Sequence, residues 1–355
     1  MASEEPTPTT QANESPLTPQ PLHPVTHWEN LAATADVDGN DRDSVISSNT
    51  VESTASMTSS ILSYRTIQGR TFHSERGNAH YWASNDEQQN ESMDIVHHFL
   101  CLMLDDKLYL SPLKDDIQKA LDIGTGTGKL IADFADNFPG TKVIGTDISP
   151  IQPSWVPSNL EFQIDDCTLP WTFEPNSIDF VHIRYLYGSI KDWSALFKES
   201  FRACRPGGWV ESHEASPMME SDDGTVTSTS AMHEWGRFFI EGGKKIGQTF
   251  TVIDDDLQRK GMKDAGFVDI QVVDHKIPVT GWPQDPKLKE IGQYVQAALE
   301  QDFEGYILYM ASQLLGWSMQ EVTVYCAQLR RELRSSANHP FFRYRAVYGR
   351  KPEET

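Results

Sequence analysis

Cysteine is scarce in this chain, and its placement excludes several kinds of site. Only four cysteines occur in 355 residues, and no two of them form a C-x-x-C pair. A zinc knuckle or a dithiol redox centre therefore has no support. Widely spaced thiols are typical of a reduced intracellular protein, in which cysteine serves as a small buried apolar residue. The four positions are Cys101, Cys167, Cys204 and Cys326.

Positive charge and long apolar runs are also limited. Lysine and arginine total 30 against 51 aspartates and glutamates, which gives a net charge of -21 at pH 7. Nucleic acids and anionic membranes repel such a chain, so we expect neither as a direct partner. No stretch approaches the roughly 18–20 apolar residues that span a bilayer, and no secretory signal is visible. We therefore expect an intracellular protein, cytoplasmic or nuclear.

The first 60 residues have the composition of a disordered tail. They hold nine acidic residues and one basic residue, and most of the others are Ser, Thr, Pro, Gln and Asn. Such a segment buries too little apolar surface to offset the entropy lost on ordering. Its acidic run around Asp38 is not a calcium loop, because Ser47 stands where a bidentate glutamate is required. We predict no metal site.

Order is predicted to begin near Ile61. Residues 61–118 combine an aromatic and basic segment with a helix over 86–104, and we expect them to form a lid against the domain that follows. That domain, residues 119–355, alternates strands with helices. Alternation at this spacing predicts an α/β, Rossmann-like, doubly wound and mostly parallel seven-stranded sheet. A helical insertion over about 280–338 precedes the last strand. Strands are predicted at 119–123, 142–146, 160–164, 178–183, 209–213, 267–279 and 341–348, and helices at 129–137, 193–204 and 254–265.

A glycine loop follows the first strand of that domain, in the run Asp122-Ile123-Gly124-Thr125-Gly126-Thr127-Gly128. Alternate glycines let the backbone approach a ligand closely, and the helix behind them presents free N–H groups. A dinucleotide motif would place the third glycine one residue later. A P-loop needs a hydroxyl at position 130, which is leucine here. The pattern of an acid followed by G-x-G-x-G favours S-adenosylmethionine.

Acidic residues also end the next two strands. Asp147 closes the second strand, where an acid accepts hydrogen bonds from a ribose diol. Asp165-Asp166-Cys167 closes the third strand, where an acid can accept a hydrogen bond from the adenine amino group. Ligands of doubly wound sheets bind beyond the carboxyl ends of the strands. Acids at three such positions in order favour S-adenosylmethionine as the cofactor.

The chain resembles the seven-stranded S-adenosylmethionine-dependent methyltransferases and, more narrowly, the fungal LaeA-like methyltransferases linked to secondary metabolism and development. The likeness covers about 61–352. It rests on Gly69-Arg70-Thr71-Phe72-His73, Asn85-Asp86-Glu87, Asp94, His97-His98, Ser189 to Trp193, Pro206-Gly207-Gly208-Trp209-Val210-Glu211 and Val347-Tyr348-Gly349-Arg350-Lys351-Pro352.

The resemblance implies a role for each candidate residue. The methionine end of the cofactor would lie beside Asp122, Gly124, Gly126 and Gly128, with the ribose at Asp147. The adenine would lie at Asp166 and Cys167, with Asp165 the rival acid, and Arg184 and Tyr185 would lie where sulfonium and acceptor meet. Thr125 and Ile148, which adjoin these positions, complete the predicted cofactor-binding set.

The methyl acceptor is not identified by any motif. A catalytic base is needed only when the acceptor must lose a proton, and the weak candidates are His213, Glu214 and Tyr185. His182 lies mid-strand and is expected in the core. Aromatic residues of the late helical insertion, together with Trp235, Phe238 and Phe239, either line an acceptor site or fill the core.

Two functions remain open. One is a methyltransferase acting on a small molecule or a protein, and the other is a LaeA-like nuclear regulator that acts through protein partners with little or no turnover.

Overall fold

The computed structural model describes residues 21–33, 62–74 and 81–353. Nine strands and ten helical segments occur within these ranges. The strands are β1 (Arg65–Ile67), β2 (Arg70–Phe72), β3 (Lys119–Ile123), β4 (Lys142–Asp147), β5 (Leu160–Ile164), β6 (Ile178–Arg184), β7 (Cys204–Glu220), β8 (Val268–Pro278) and β9 (Phe341–Arg350). The helices are α1 (Val25–Ala33), α2 (Glu87–Met103), α3 (Lys129–Asn137), α4 (Trp193–Ala203), α5 (Ala231–Ile246), α6 (Leu257–Ala265), α7 (Pro286–Gln301), α8 (Phe303–Leu308), the π-helix Tyr309–Leu314 and α9 (Met319–Arg334).

Seven of the strands form one sheet in the order β5-β4-β3-β6-β7-β9-β8. All run parallel except β9, which is antiparallel to both of its neighbours. The strand order reverses between β3 and β6, which creates the crevice in which such sheets bind ligands. The predicted Rossmann-like doubly wound sheet, with its helical insertion before the last strand, is confirmed.

Each face of the sheet has its own apolar layer. On one face, Phe134 of α3 and Phe138, which directly follows that helix, pack near Phe180 of β6. On the other face, Phe197 of α4 and Val210 of β7 are fully buried. Residues on parallel strands alternate between these two faces, so both layers are anchored by the same short apolar strands. The sheet therefore forms a firm support for side chains at its carboxyl edge.

A second body of helices lies against the sheet and has a separate core. We call α1, α2, α5, α7, α8, the π-helix and α9 the helical cap. Its helices begin at local capping side chains: Asp86 accepts from Gln89 at α2, Asp285 precedes Pro286 at α7, and Ser318 forms a capping box at α9. Such caps satisfy backbone donors that the first turn leaves unpaired. The cap and the carboxyl ends of the strands line one shared cavity.

The predicted disorder of residues 1–60 is wrong over Val25–Ala33, which form α1. Trp28 is fully buried there and packs edge-on against Tyr325 of α9. The segment is polar on average, but this one large aromatic side chain buries enough apolar surface to dock the helix. Apart from residues 21–33, this predicted tail lies outside the described residues.

Three further elements differ from the predictions. Strand β7 runs from Cys204 to Glu220, well beyond the predicted 209–213, and it includes the Pro206-Gly207-Gly208 run that was expected only to end a helix. Its pairing with β6 shifts register at that point, which accommodates these residues. The hairpin β1–β2 and helix α5 were not predicted. Among the described residues, no helix is long and apolar enough to cross a membrane.

Candidate functional site

The shared cavity is bounded below by the carboxyl ends of β3 to β7 and above by the helical cap. Its lower part contains most of the predicted cofactor residues. Those that line it are Asp122, Gly124, Thr125, Gly126, Asp147, Ile148, Asp165, Asp166, Cys167 and Arg184, and the weak catalytic candidate Tyr185 lines it as well. Its upper part is mainly aromatic. The structure thus brings residues from four separate strand ends into one space.

The glycine loop after β3 needs its glycines for conformation. Gly124, Gly126 and Gly128 all have positive φ, at 69°, 59° and 79°, a region that L side chains rarely adopt. An added Cβ at Gly124 would also lie 2.5 Å from Leu186 Cδ2, and one at Gly126 would lie 2.7 Å from Met93 Cε. Gly128 does not line the cavity; it precedes α3 in the left-handed conformation and shapes the turn.

Asp147 ends β4 and ties the glycine loop to the sheet. Its Oδ2 accepts a hydrogen bond from the Gly126 N–H at 2.8 Å, and its Oδ1 accepts one from the Ser149 N–H at 2.9 Å. A carboxylate has about four acceptor positions, so capacity for two ligand hydroxyls remains. Burial raises the pKa of Asp147 to about 6, although these N–H bonds lower it.

The tip of β5 distinguishes the two rival acids. Asp165 Oδ1 accepts the Asp166 N–H at 2.9 Å. Asp166 Oδ1 accepts both the N–H and the hydroxyl of Thr168, at 2.9 Å and 2.6 Å. The other oxygen, Asp166 Oδ2, is buried and has no hydrogen-bond partner among the described residues. A buried carboxylate oxygen without a donor is costly, so this atom is suited to accept a hydrogen bond from a ligand.

Two residues at the end of β6 face the cavity in different ways. Arg184 directs its guanidinium toward His97 of α2, with both terminal nitrogens 3.4 Å from His97 Nδ1. Tyr185 has a positive φ of 57°, which is strained for an aromatic residue. Burial raises the pKa of the Tyr185 phenol well above its usual value. Tyr185 is therefore a neutral hydroxyl at neutral pH.

The candidate bases His213 and Glu214 do not reach the cavity. His213 is 1% exposed and is held by Glu211 at 2.5 Å and the Tyr344 hydroxyl at 2.7 Å. Burial lowers the pKa of His213. Glu214 is fully buried and accepts the N–H groups of Leu186 and Tyr187, and burial raises its pKa to about 8. Glu214 holds the loop after β6, and His213 lies in the interior of the sheet. Neither residue is therefore accessible to a ligand in the cavity.

His182 and Asp122 form a pair within the sheet. His182 Nδ1 lies 2.7 Å from Asp122 Oδ1, across directly paired positions of β3 and β6. His182 is 1% exposed, which agrees with the expected core position. Asp122 belongs to the cavity lining, but it is only 4% exposed, so little of its side chain is accessible to a ligand. Its contact with a cofactor therefore stays a prediction.

The upper part of the cavity is formed by aromatic side chains of the cap and of the segment before α2. Trp82, Trp235 and Phe239 are at most 5% exposed. The ring of Trp82 meets that of Phe239 at 5.1 Å and that of Tyr306 at 6.4 Å between centroids. Phe238, grouped with these residues in the sequence, instead packs in the cap core. The sequence therefore indicated part of this wall but not which rings face inward.

Several polar side chains of this cavity were not selected from the sequence as site residues. Both polar atoms of the Asn85 amide are buried without a partner among the described residues, as are Gln89 Oε1 and Ser189 Oγ. Asn85 directly precedes the N-cap of α2, so a local signal existed. Nothing in the sequence indicated that Asn85 and Ser189, about 100 positions apart, face one space.

The lower part of the cavity fits an adenosyl cofactor on this chain's own geometry. Asp166 Oδ2 lacks a donor, and Thr125 Oγ1 is likewise buried and without a partner among the described residues. Asp147 retains acceptor capacity, and the glycine loop leaves no room for a Cβ. Within the described ranges, no cluster of three or more His, Cys, Asp or Glu residues is arranged to hold a metal ion.

Comparisons with known proteins identify the family to which the chain belongs. A family model described as a methyltransferase domain matches residues 95–272. The chain is 35% identical to methyltransferase pytC of Aspergillus terreus over 304 residues, which cover 85% of this chain and 93% of that protein. It is 28% identical to protein-methionine methyltransferase laeA of Emericella nidulans over 289 residues, covering 80% and 75%. Other fungal relatives of 27–28% identity are named secondary metabolism regulators.

The chain also matches solved structures. Haemonchus contortus phosphoethanolamine N-methyltransferase 2, in complex with S-adenosyl-L-methionine, is 22% identical with a TM-score of 0.40. The match covers 74% of this chain and 53% of that chain, so this chain spans about half of the larger structure. The family model and the fungal relatives decide the assignment. The chain therefore belongs to the S-adenosylmethionine-dependent methyltransferases, with LaeA-like fungal proteins among its relatives.

Proposed function

We propose that the lower part of the cavity binds S-adenosylmethionine through specific side chains at the strand ends. Asp147 accepts hydrogen bonds from the ribose hydroxyls, and Asp166 Oδ2 accepts one from the adenine amino group. The guanidinium of Arg184 pairs with the methionine carboxylate. The observation that carries this proposal is Asp166 Oδ2, a buried carboxylate oxygen without a donor among the described residues.

When bound, S-adenosylmethionine supplies a methyl group already activated on a sulfonium. The chain's own contribution is to align the acceptor and exclude water. The glycine loop fixes the position of the lower part through the Gly126–Asp147 bond. Tyr185 is a neutral phenol that lines the cavity next to Arg184 in the chain, and its hydroxyl would donate a hydrogen bond to a polar atom of the bound methyl acceptor. Neither His213 nor Glu214 has a role as a base in this scheme, because neither lines the cavity.

We propose a small, largely apolar or aromatic molecule as the acceptor. The upper part of the cavity is walled by Trp82, Trp235 and Phe239, which are almost inaccessible from outside. Flat aromatic walls favour stacked ring systems. The unpartnered amide of Asn85 offers one donor and one acceptor to orient such a molecule. A protein substrate would have to insert a single extended side chain past this wall.

An intracellular location, cytoplasmic or nuclear, is also part of the proposal. All four cysteines are free thiols, and two of them, Cys204 and Cys326, are buried. Free thiols at every cysteine fit a reducing compartment.

Calorimetry with S-adenosylhomocysteine tests the cofactor site. We expect Asp147→Ala to lose at least tenfold in affinity, since two hydrogen bonds to a charged acceptor are removed (about 1.5–3 kcal/mol each). Asp222→Ala is the matched control, because Asp222 pairs with Lys276 on the exposed surface. Equal affinity of the Asp147 variant and the wild type would refute the proposed ribose contact.

A labelled-cofactor assay tests the acceptor class. The protein is incubated with methyl-labelled S-adenosylmethionine and a fungal extract separated into small-molecule and protein fractions. We expect label in the small-molecule fraction. Label confined to the protein fraction would overturn the small-molecule proposal. Cofactor binding without transfer to either fraction would instead support the regulatory alternative.

A further inference from the structure

The guanidinium of Arg184 is held in the cavity by an unusual partner. Both of its terminal nitrogens lie 3.4 Å from His97 Nδ1. No carboxylate forms an ion pair with Arg184 within the described part of the chain. A partly buried cation facing a cavity, with only a neutral ring nitrogen beside it, retains most of its capacity to bind an anion.

The contact determines which ring nitrogen of His97 carries the proton. A guanidinium has donors and no acceptor, so His97 Nδ1 must accept. The proton therefore lies on Nε2, which donates to Asp133 Oδ2 of α3 at 2.9 Å. Asp133, His97 and Arg184 thus form a directed chain from the surface to the cavity. Burial and the nearby Arg184 charge lower the pKa of His97, so its ring is neutral at neutral pH.

We propose that His97 and Asp133 are positioning residues that hold the Arg184 guanidinium in place for the carboxylate of the cofactor's methionine moiety. This inference rests on the proposed cofactor site. His97 touches no ligand in this arrangement. It acts through Arg184, and Asp133 fixes the ring orientation and tautomer of His97, as a second partner commonly does for a functional histidine.

The arrangement makes carboxylate recognition depend on pH. Protonated His97 has no lone pair on Nδ1, so it repels Arg184 instead of accepting from it. Charged and titratable groups face His97 from three elements. Each of them influences the pKa of His97, so the test variants leave the others unchanged. They are Asp94 and Cys101 on α2, Asp133 and Lys129 on α3, and Arg184 on β6.

Two ligands separate the carboxylate contact from the rest of the site. S-adenosylhomocysteine carries the amino-acid end, and 5′-methylthioadenosine lacks it while keeping the adenosine and sulfur. We expect the ratio of the two affinities to fall about tenfold in His97→Leu, roughly the effect of one hydrogen bond to a charged group. His98→Leu is the control, because His98 is exposed on the same helix and packs against Tyr294.

A conservative variant tests the tautomer argument. In His97→Gln, the amide oxygen can accept from Arg184 while the amide nitrogen donates to Asp133. We expect this variant to keep most of the wild-type affinity ratio and to lose its pH dependence. The wild-type ratio should fall under acidic conditions, in which His97 becomes protonated. Asp133→Asn should reduce the ratio by a smaller factor, because the ring then lacks its charged partner.

The outcomes are distinguishable. If His97→Leu weakens both ligands equally, His97 is merely structural and the inference is wrong. If lowering the pH from 8 to the limit at which the protein stays folded changes the wild-type ratio no more than that of His97→Gln, the proposed tautomer control is refuted. If the wild-type protein binds neither ligand, the proposed cofactor site itself fails, and this inference fails with it.

Discussion

Arg70 and Asp302 lie 232 positions apart in sequence and form a two-point ion pair, with nitrogen–oxygen distances of 2.6 Å and 2.7 Å. Asp302 is also the N-cap of α8, where it accepts the Gly305 N–H. The same guanidinium grips Asp86, the N-cap of α2. One hairpin residue therefore links the first turns of two helices whose side chains, Gln89 and Tyr306, face the cavity.

Replacing Arg70 should destabilise the cap strongly. The Asp302 side chain is fully buried, so Arg70→Met leaves an uncompensated buried carboxylate, at a cost of about 3–5 kcal/mol. Lys244→Met is the matched control, since the Lys244 side chain is exposed in its pair with Glu241 and pairs at the surface contribute about 0–1 kcal/mol. Urea unfolding measures both. Similar losses in the two variants would contradict the buried clamp.

Two tryptophans test the docking of α1. Trp28 is fully buried, whereas Trp155 is 88% exposed. We expect Trp28→Ala to reduce the free energy of unfolding by about 3–5 kcal/mol, as for other large buried side chains, and Trp155→Ala to change it by less than about 0.5 kcal/mol. Limited proteolysis near residue 33 should also quicken in the Trp28 variant only. Equal behaviour of the two variants would mean that α1 adds no stability.

The parts of the fold that the sequence predicted well are those specified by neighbouring residues. The observed bounds of β3, α3 and β5 agree with the prediction, because a short apolar run, a glycine loop and an amphipathic stretch are local signals. Acids at the ends of parallel strands were expected in one place for a topological reason, since such ends share one edge of the sheet. The cavity lining at Asp147 and Asp166 follows that expectation.

Other features depend on contacts between distant segments. The docking of α1 requires Trp28 to meet Tyr325, nearly 300 positions away. His213 stood near a predicted strand end, but β7 continues to Glu220, which places His213 inside the sheet. The Arg184–His97 contact joins a strand to a helix 87 positions earlier. No periodicity or motif encodes such pairings, because they depend on how the cap settles on the sheet.

Gly124 tests the conformational requirement of the glycine loop. Gly124→Ala places a Cβ at positive φ, a cost of about 1–2 kcal/mol, and 2.5 Å from Leu186 Cδ2. Leu186 must then move, and it belongs to the loop that Glu214 holds. We expect at least a tenfold loss of S-adenosylhomocysteine affinity by calorimetry. Gly140→Ala, where nothing lies within 4 Å of an added Cβ, should bind normally; a loss there too would argue against a loop-specific effect.

The ionisation of Asp147 predicts how adenosine recognition depends on pH. Burial raises the pKa of Asp147 to about 6 from its ordinary 3.8. The raised pKa means that the protonated form is favoured in the fold, so any stability it contributes is present below pH 3.8 and is lost as the pH rises through 6.

Ligand binding has the opposite requirement, because only the carboxylate can accept hydrogen bonds from both ribose hydroxyls while it also accepts those from Gly126 and Ser149. The affinity for 5′-methylthioadenosine should therefore fall by roughly tenfold from pH 7 to pH 5, one unit below the pKa. This ligand has no carboxylate, so the Arg184–His97 contact does not contribute. In Asp147→Asn, the affinity should be low and independent of pH over that range, and a wild-type-like pH profile in this variant would show that another group controls the dependence.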